Sequence, residues 1–372
     1  MQTQTLTVDA HAPQAAVLTA AADVIQRGGL VAFPTETVYG LGADALNPVA
    51  VAGIFAAKGR PASDPLIVHL ADLDQLELVV AELPPSLAQL HDLMPGPLTL
   101  VLPRHTRVPL SVSAGRDTVA VRVPAHAVAV GLIRAAATPI AAPSANRFGH
   151  TSPTTAAHVL ADLAGRIDLV LDGGPTAVGI ESTVLDLTSP TPRILRPGGV
   201  SLAQLQARLG AVEVAPRTAT GAMSPDADAA HTAADTDIGA TAPGMLERHY
   251  APEHELRLVC GAPDPARAWL AAQVAALSGQ GATVGVLLCA EDIAQLQPIL
   301  SAHTALIEAL GSEADLAQIA HNLYAALRRL DARAPQVILA RDFGAEGLGL
   351  ALRDRLTRAA SGNVTWLGDA PA

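Results

Sequence analysis

The sequence predicts a two-domain α/β protein. Three observations predict it. Short apolar strands interleave with helical stretches over residues 1–212. Residues 213–254 form an interval dominated, up to 243, by Ala, Thr, Asp, Pro and Gly. A second strand–helix alternation then runs over 255–372. A length of 372 residues suits two domains, and a hydrophobic share of 50% suffices for a core in each. Aromatic residues make up only 2%, so those cores must be built from Ala, Val, Leu and Ile. No internal repeat is visible.

Residues 15–27 read as a helix ended by Gly28 and Gly29, and Leu30–Phe33 as a short strand stopped by Pro34. Phe33–Ala45 beyond it reads as a strand running into a loop. Ala50–Lys58 is helical, and Leu66–Leu70, Leu98–Leu102 and Thr118–Val123 are strands. Ala127–Ala136 is a helix, Pro139–Ala142 a strand of small residues, and Ala156–Leu163 a helix. Leu169–Leu171, Ser182–Asp186 and Arg193–Arg196 are strands, and Leu202–Leu209 closes the unit as a helix. The interval after it is read as a linker, disordered in part. From Leu256 a strand, the helix Ala266–Ala276, the strand Thr283–Leu288, a helix, a strand, the helix Leu316–Leu330, the strand Gln336–Leu339 and the helix Leu350–Ala360 follow. That order predicts a Rossmann-like parallel sheet with helices on both faces.

The formal net charge is −11; residues 1–210 carry 13 basic and 16 acidic groups, and residues 211–372 carry 11 and 19. Neither half offers the basic stripe that coats a polyanion, although a basic pocket inside an acidic protein is compatible with these totals. The two cysteines, Cys260 and Cys289, each end an apolar run and read as buried thiols of a reducing compartment. No basic segment precedes an apolar stretch at the start, and no uncharged apolar run reaches the ~18 residues of a membrane span. A cytoplasmic location is expected. The composition has one oddity: 23 Arg accompany a single Lys, Lys58. An ammonium is a compact point charge and a guanidinium a planar fork, so the surviving lysine is a candidate functional group, with chance survival as the alternative.

Five segments carry candidate chemistry. Phe33–Ala45 combines Thr35 and Thr37 with Gly40 and Gly42, which permit close backbone approach or positive φ; an ordinary strand-to-loop turn explains it equally. Ala56–Leu70 sets Lys58 and Arg60 at a helix end before Pro61, either holding the helix C-terminus or clamping phosphates. His69 lies in the following apolar strand, where a lone histidine is more often structural. Thr118–Pro124 places Arg122 in an apolar strand. A buried Arg is paired with a protein carboxylate or waits for a substrate's. Pro139–Thr154 crowds Ser144, Asn146 and Ser152 into a loop that Asx and Ser turns would also explain. Asp172–Leu187 and Arg193–Val200 bring glycines, Ser182, Thr183 and Arg196, the last a candidate anion contact or a surface residue. No Walker A, GxGxxG, HExxH or Ser-His-Asp signature occurs.

The ordered set PTETVYGLG, KGRPxxxPLIVH, PGPLTLVL, VAVRVP, APSAN, GIESTVLDL and LRPGG resembles the YrdC-type domain of threonylcarbamoyl-AMP synthases. GMLERHYAP, NLYAALRRLD and EGLGLALRDRLTRAA are similar to the long, two-domain form of that enzyme. The resemblance covers nearly all of the chain outside about 213–242. It implies a YrdC-like twisted open sheet followed by a Rossmann-like domain. It also implies a nucleotidyltransferase that converts L-threonine, bicarbonate or CO2 and ATP to threonylcarbamoyl-AMP and pyrophosphate, Mg²⁺ travelling with ATP. Partner proteins would then transfer the threonylcarbamoyl group to an adenosine of ANN-decoding tRNAs. The family's threonine contacts fall on Thr37, His69, Arg122, Ala142 and Ser182. Its ATP contacts fall on Arg60, Asp64, Thr118, Ser144, Ser152, Arg196 and Tyr250, and Lys58 and Asn146 belong to the same motifs. Lys58 and Arg60 are the candidate catalytic cations, and no protein-built metal site is expected. Relatives often carry Asn at position 64, and an ionised Asp cannot donate to a phosphate. The segment 243–252 is expected to act as a lid over the site.

Two other classes compete. A carbamoyl-adenylate-forming enzyme of the hydrogenase-maturation type shares the fold but brings acylphosphatase and zinc-finger modules that this chain lacks. An RNA-binding module would need basic charge and aromatic platforms, against a net charge of −11 and few aromatics.

Overall fold

The protein is described here by a computed structural model covering residues 2–216 and 250–368. The first domain comprises strands β1 (Gln4–Thr7), β2 (Val31–Pro34), β3 (Tyr39–Asp44), β4 (Ile67–His69), β5 (Leu98–Pro103), β6 (Thr118–Arg122), β7 (Ile140–Ala141), β8 (Leu169–Asp172), β9 (Thr183–Asp186), β10 (Arg193–Arg196) and β11 (Glu213–Val214). Its helices are α1 (Ala15–Gln26), α2 (Pro48–Lys58), α3 (Ala127–Ala136), α4 (Ala156–Leu163) and α5 (Leu202–Leu209). All eleven strands join one mixed sheet in the order β1-β8-β2-β3-β7-β4-β6-β5-β9-β10-β11. The sheet reaches Val214, two residues past the expected boundary at 212. Of the expected linker and lid, residues 217–249 lie outside the described residues.

Side-chain alternation distributes the core. In β2, Val31 and Phe33 face α1 and α3, while Ala32 faces the opposite layer with α2 and α4. Alanines at the contacts let helices sit close to the sheet, as the aromatic-poor composition predicts. Phe33–Ala45 departs from the expected loop. It holds the end of β2, the turn and all of β3 in one hairpin, with Thr35 Oγ1 donating to the Val38 carbonyl at 2.6 Å across the turn. Gly40 and Gly42 are glycines for close approach: a Cβ on Gly42 would meet Phe33 at 2.7 Å and Ile140 at 2.8 Å.

The second domain comprises β12 (Glu255–Gly261), α6 (Pro263–Gly279), β13 (Val284–Leu288), α7 (Ala290–Ala302), β14 (Leu306–Ala309), α8 (Leu316–Asp331), β15 (Val337–Arg341), α9 (Gly349–Ala360) and β16 (Val364–Leu367). Its five strands are all parallel, in the order β14-β13-β15-β12-β16. Val259, Val286 and Leu339 pack under α6 and α7; Leu258, Leu287 and Ile338 pack under α8 and α9. The sheet is therefore covered on both faces, as expected for a parallel sheet. Cys260 and Cys289 are buried free thiols.

The domains pack against each other through α8. Gly179, at φ +82°, lies so close that a Cβ there would stand 2.4 Å from the His321 Cα. His321 Nδ1 is 3.0 Å from the Ala177 carbonyl, and Arg328 bonds Asp162 at 2.7 Å. Gly179→Ala combines a backbone strain of about 1–2 kcal/mol with a clash against helix backbone. Its loss in thermal unfolding should exceed that of Gly115→Ala, which shares a positive φ of +81° with no atom within 4 Å. It should also expose the domain junction to proteolysis; equal losses would mean that α8 does not depend on this approach.

Candidate active site

Strand ends and loops of the first domain meet around a cavity of about 40 Å³. Of the sequence-predicted residues, Thr37, Arg60, His69, Arg122, Ala142, Ser144, Ser182, Arg196 and Tyr250 line it. They come from the β2–β3 turn, the segment after α2, β4, β6, the loop after β7, the start of β9, the end of β10 and the chain entering the second domain. The volume holds a few waters, far below the roughly 300 Å³ or more of a cofactor-sized site.

Each cation has its partners in place. Arg122 Nε donates to the Gly96 carbonyl at 3.2 Å and Nη1 to Thr37 Oγ1 at 2.9 Å, while Nη2 lies 2.7 Å from Glu36 Oε1. The two readings left open for Arg122 are thus both compatible: it is paired with a carboxylate and still faces the cavity. Arg60 donates from Nη2 to the Pro65 carbonyl at 2.8 Å and pairs with Asp64 Oδ2 at 2.9 Å. Arg196 Nη2 donates to the Ser182 carbonyl at 3.0 Å. The turn after Arg196 lies on the backbone of the Glu181–Thr183 segment. A Cβ on Gly198 would come within 2.4 Å of the Glu181 carbonyl oxygen and the Thr183 nitrogen, so this crossing requires glycine. Burial and then Arg122 push the His69 imidazole down to about 3, so it stays neutral at physiological pH.

The remaining predicted residues do not line the cavity. Lys58 does not line the cavity; its Nζ donates to the Ser144 and Asn146 carbonyls, both at 2.5 Å, and fastens that loop to the end of α2. Burial and then Arg60 push its ammonium well below its ordinary value. Asn146 Oδ1 accepts from Ser144 Oγ at 2.5 Å, and its Nδ2 donates to the Arg147 and His150 carbonyls. Asp64 is engaged with Arg60. Thr118 begins β6, four residues before Arg122, which on strand geometry is roughly 13 Å away. Ser152 Oγ donates to Glu181 Oε1 at 2.6 Å.

Sequence reasoning missed Glu181 as a cavity residue and Glu36 as the partner of Arg122. Both sit inside the quoted motifs, and a buried acid beside a buried Arg was the available signal. It also missed Tyr324 and Arg355, which reach Glu181 from α8 and α9 at 2.9 and 2.7 Å. The described residues contain one acidic and thiol cluster of metal-ligand spacing, Cys289, Glu291 and Glu313 in the second domain. Arg267 and Arg341 already bond Glu313 there, at 2.7 and 2.6 Å.

Residues 23–198 match the Sua5, YciO and YrdC family model, described as telomere recombination. Residues 200–361 match the model described as the C-terminal domain of threonylcarbamoyl-AMP synthase. A threonylcarbamoyl-AMP synthase of Pyrococcus abyssi is 44% identical over 340 residues, covering 91% of this chain and 92% of its own. One of Bacillus subtilis is 41% identical over 346 residues, covering 92% and 93%. The crystal structure of P. abyssi Sua5 complexed with L-threonine has a TM-score of 0.86 at 40% identity, covering 98% of this chain and all of that one. With both domains matched and relatives aligned along almost their whole length, the chain belongs to the threonylcarbamoyl-AMP synthase family, in its two-domain form.

Proposed function

We propose that the chain condenses L-threonine, bicarbonate or CO2, and ATP to threonylcarbamoyl-AMP, releasing pyrophosphate, as the first step of threonylcarbamoyl-adenosine formation in tRNA. The observation that carries this reading is one cavity joining Arg60, Arg122 and Arg196 with Thr37, His69, Ser144 and Ser182. Threonine's amine takes up CO2, or bicarbonate with loss of water, to give a carbamate. A carbamate oxygen attacks the α-phosphorus of ATP, the bond to the bridging oxygen breaks, and pyrophosphate leaves. Such a reaction needs positioning and electrostatic stabilisation more than covalent help from the protein.

Arg122 is the residue for the threonine carboxylate. Glu36, Thr37 and Gly96 fix its plane while other N–H donors of its five remain for the ligand. Arg60 and Arg196 face the polyphosphate. Lys58 acts through the Ser144–Asn146 loop that it fastens. Glu181, the one carboxylate lining the cavity among the described residues, already accepts from Ser152, Tyr324 and Arg355. That donor set supports Mg²⁺ arriving with ATP instead of on a protein-built site. The cavity must widen to admit both substrates. Tyr250, at the border of the undescribed segment with a strained φ of +63°, is the wall residue we expect to move. The buried free thiols suit a reducing cytoplasm, and the product would pass to partner proteins that modify tRNA.

Pyrophosphate release should require threonine, bicarbonate and ATP together, with threonylcarbamoyl-AMP seen by mass spectrometry; release without threonine would overturn the reading. Arg122→Lys should raise the threonine KM by at least roughly tenfold, the loss of a charge-assisted pair worth about 1.5–3 kcal/mol, and leave the ATP KM nearly unchanged. A selective ATP defect would reassign the residue. Lys58→Ala should abolish adenylate formation in a folded protein and raise amide exchange in residues 144–147; full activity would remove any role for the sole lysine.

A further inference from the structure

One side chain of the second domain touches three functional segments of the first. Arg355, in α9, is fully buried and does not line the cavity. Its Nε donates to Glu181 Oε2 at 2.7 Å, and its Nη2 donates to the Pro197 carbonyl at 3.0 Å. Nη1 pairs with Asp354 at 2.5 Å, and the guanidinium carbon lies 4.9 Å from the centroid of the Tyr250 ring. Glu181 and Tyr250 line the cavity themselves, and Pro197 directly follows Arg196, which also does. From α8, Tyr324 donates its hydroxyl to Glu181 Oε2 at 2.9 Å and stacks on Tyr250, with ring centroids 5.8 Å apart at 24°.

Electrostatics gives this arrangement a purpose. The Glu181 carboxylate stands in the same wall as Arg60 and Arg196, where the polyphosphate of ATP must lie under the proposed function. An uncompensated carboxylate there would be costly to bury and would repel the incoming phosphates. Ser152 satisfies one of its oxygens from within the first domain; the other is satisfied entirely from the second. Burial pushes the Glu181 carboxyl up, but Arg355, Arg196 and Ser152 outweigh it and hold it below the usual glutamate range. The acid is thus an anion that Arg355 neutralises, and a planar fork also fixes the turn after Arg196 and the face of Tyr250.

We propose that Arg355 is a positioning residue of the adenylation site, through which the second domain sets both the charge and the shape of the ATP-facing wall. The inference rests on the proposed reaction for its substrate but concerns a residue remote from the chemistry. A purely adhesive role would make its loss destabilising without changing the kinetic constants of the folded enzyme.

The experiment measures ATP binding by calorimetry and the ATP KM by pyrophosphate release, on full-length protein, for Arg355→Met, Glu181→Gln, the double variant and Tyr324→Phe. Arg355→Met should weaken ATP by tenfold or more while the threonine KM changes less. The double variant should recover much of that loss, because Glu181→Gln removes the unpaired charge; simple adhesion predicts no rescue. Tyr324→Phe, which deletes one hydroxyl and keeps the stacking, should weaken ATP by roughly threefold or more. It decides the matter if Arg355→Met does not fold. Unchanged ATP constants in folded Arg355→Met, or in Tyr324→Phe, would overturn the inference. If the wild type binds ATP with this variant pattern yet releases no pyrophosphate, the reaction assignment fails and the positioning role stands. If it neither binds ATP nor releases pyrophosphate, both fall.

Discussion

A buried guanidinium or ammonium is tolerated only when its donors are used, and the architecture around the cavity follows from meeting that condition repeatedly. Lys58, Arg60, Arg122, Arg196 and Arg355 are all nearly inaccessible. Every one donates to a main-chain carbonyl: Asn146, Pro65, Gly96, Ser182 and Pro197 respectively. Three add a carboxylate, Asp64 for Arg60, Glu36 for Arg122 and Glu181 for Arg355. The carbonyls belong to loops, so each cation fixes the backbone of a neighbouring segment as well as its own head group. Loop order and charge placement are therefore the same interaction seen from two sides.

This explains the glycines and prolines among the site segments. A cation can grip two loops only if they come close. The crossing of Gly198 over Glu181–Thr183 and the packing of Gly42 on Phe33 leave no room for a Cβ. Gly96 is as tight, a Cβ there standing 2.5 Å from the Leu93 carbonyl oxygen, and it also supplies the carbonyl for Arg122 Nε while its own nitrogen bonds the Val123 carbonyl at 2.9 Å. The mixed sheet supplies the other half of the arrangement, since β4 and β6 run parallel and place His69 beside Arg122 in register.

The second domain enters the same network. Glu181 is 174 residues from Arg355 and 143 from Tyr324, yet its charge is balanced by them. Gly179 lets α8 approach closely enough for these contacts to form. The domain boundary thus runs directly behind the Glu181 wall of the cavity.

Local pattern determined much of this protein without tertiary help. The helices Ala127–Ala136, Ala156–Leu163 and Leu202–Leu209 have the bounds expected from the sequence, because helix signals are local. The cavity-lining cations Arg60, Arg122 and Arg196 were legible as charges in apolar or Pro-fixed settings. Other features were not. β3 read as a loop, since Gly40 and Gly42 lack strand propensity and are held in the sheet by Phe33, Ile140 and Ala142 across it. β1 and β16 escaped notice as short edge strands whose pairing is long-range. Lys58, Asn146 and Ser152 read as candidate ligand contacts; only the fold shows that they also bond the cavity's own backbone and Glu181. Arg355 lies within the quoted EGLGLALRDRLTRAA segment, but nothing local tells which of its arginines turns toward the first domain. Its partners are assembled only when two domains pack, and which charge neutralises which is decided by distance in space, not along the chain.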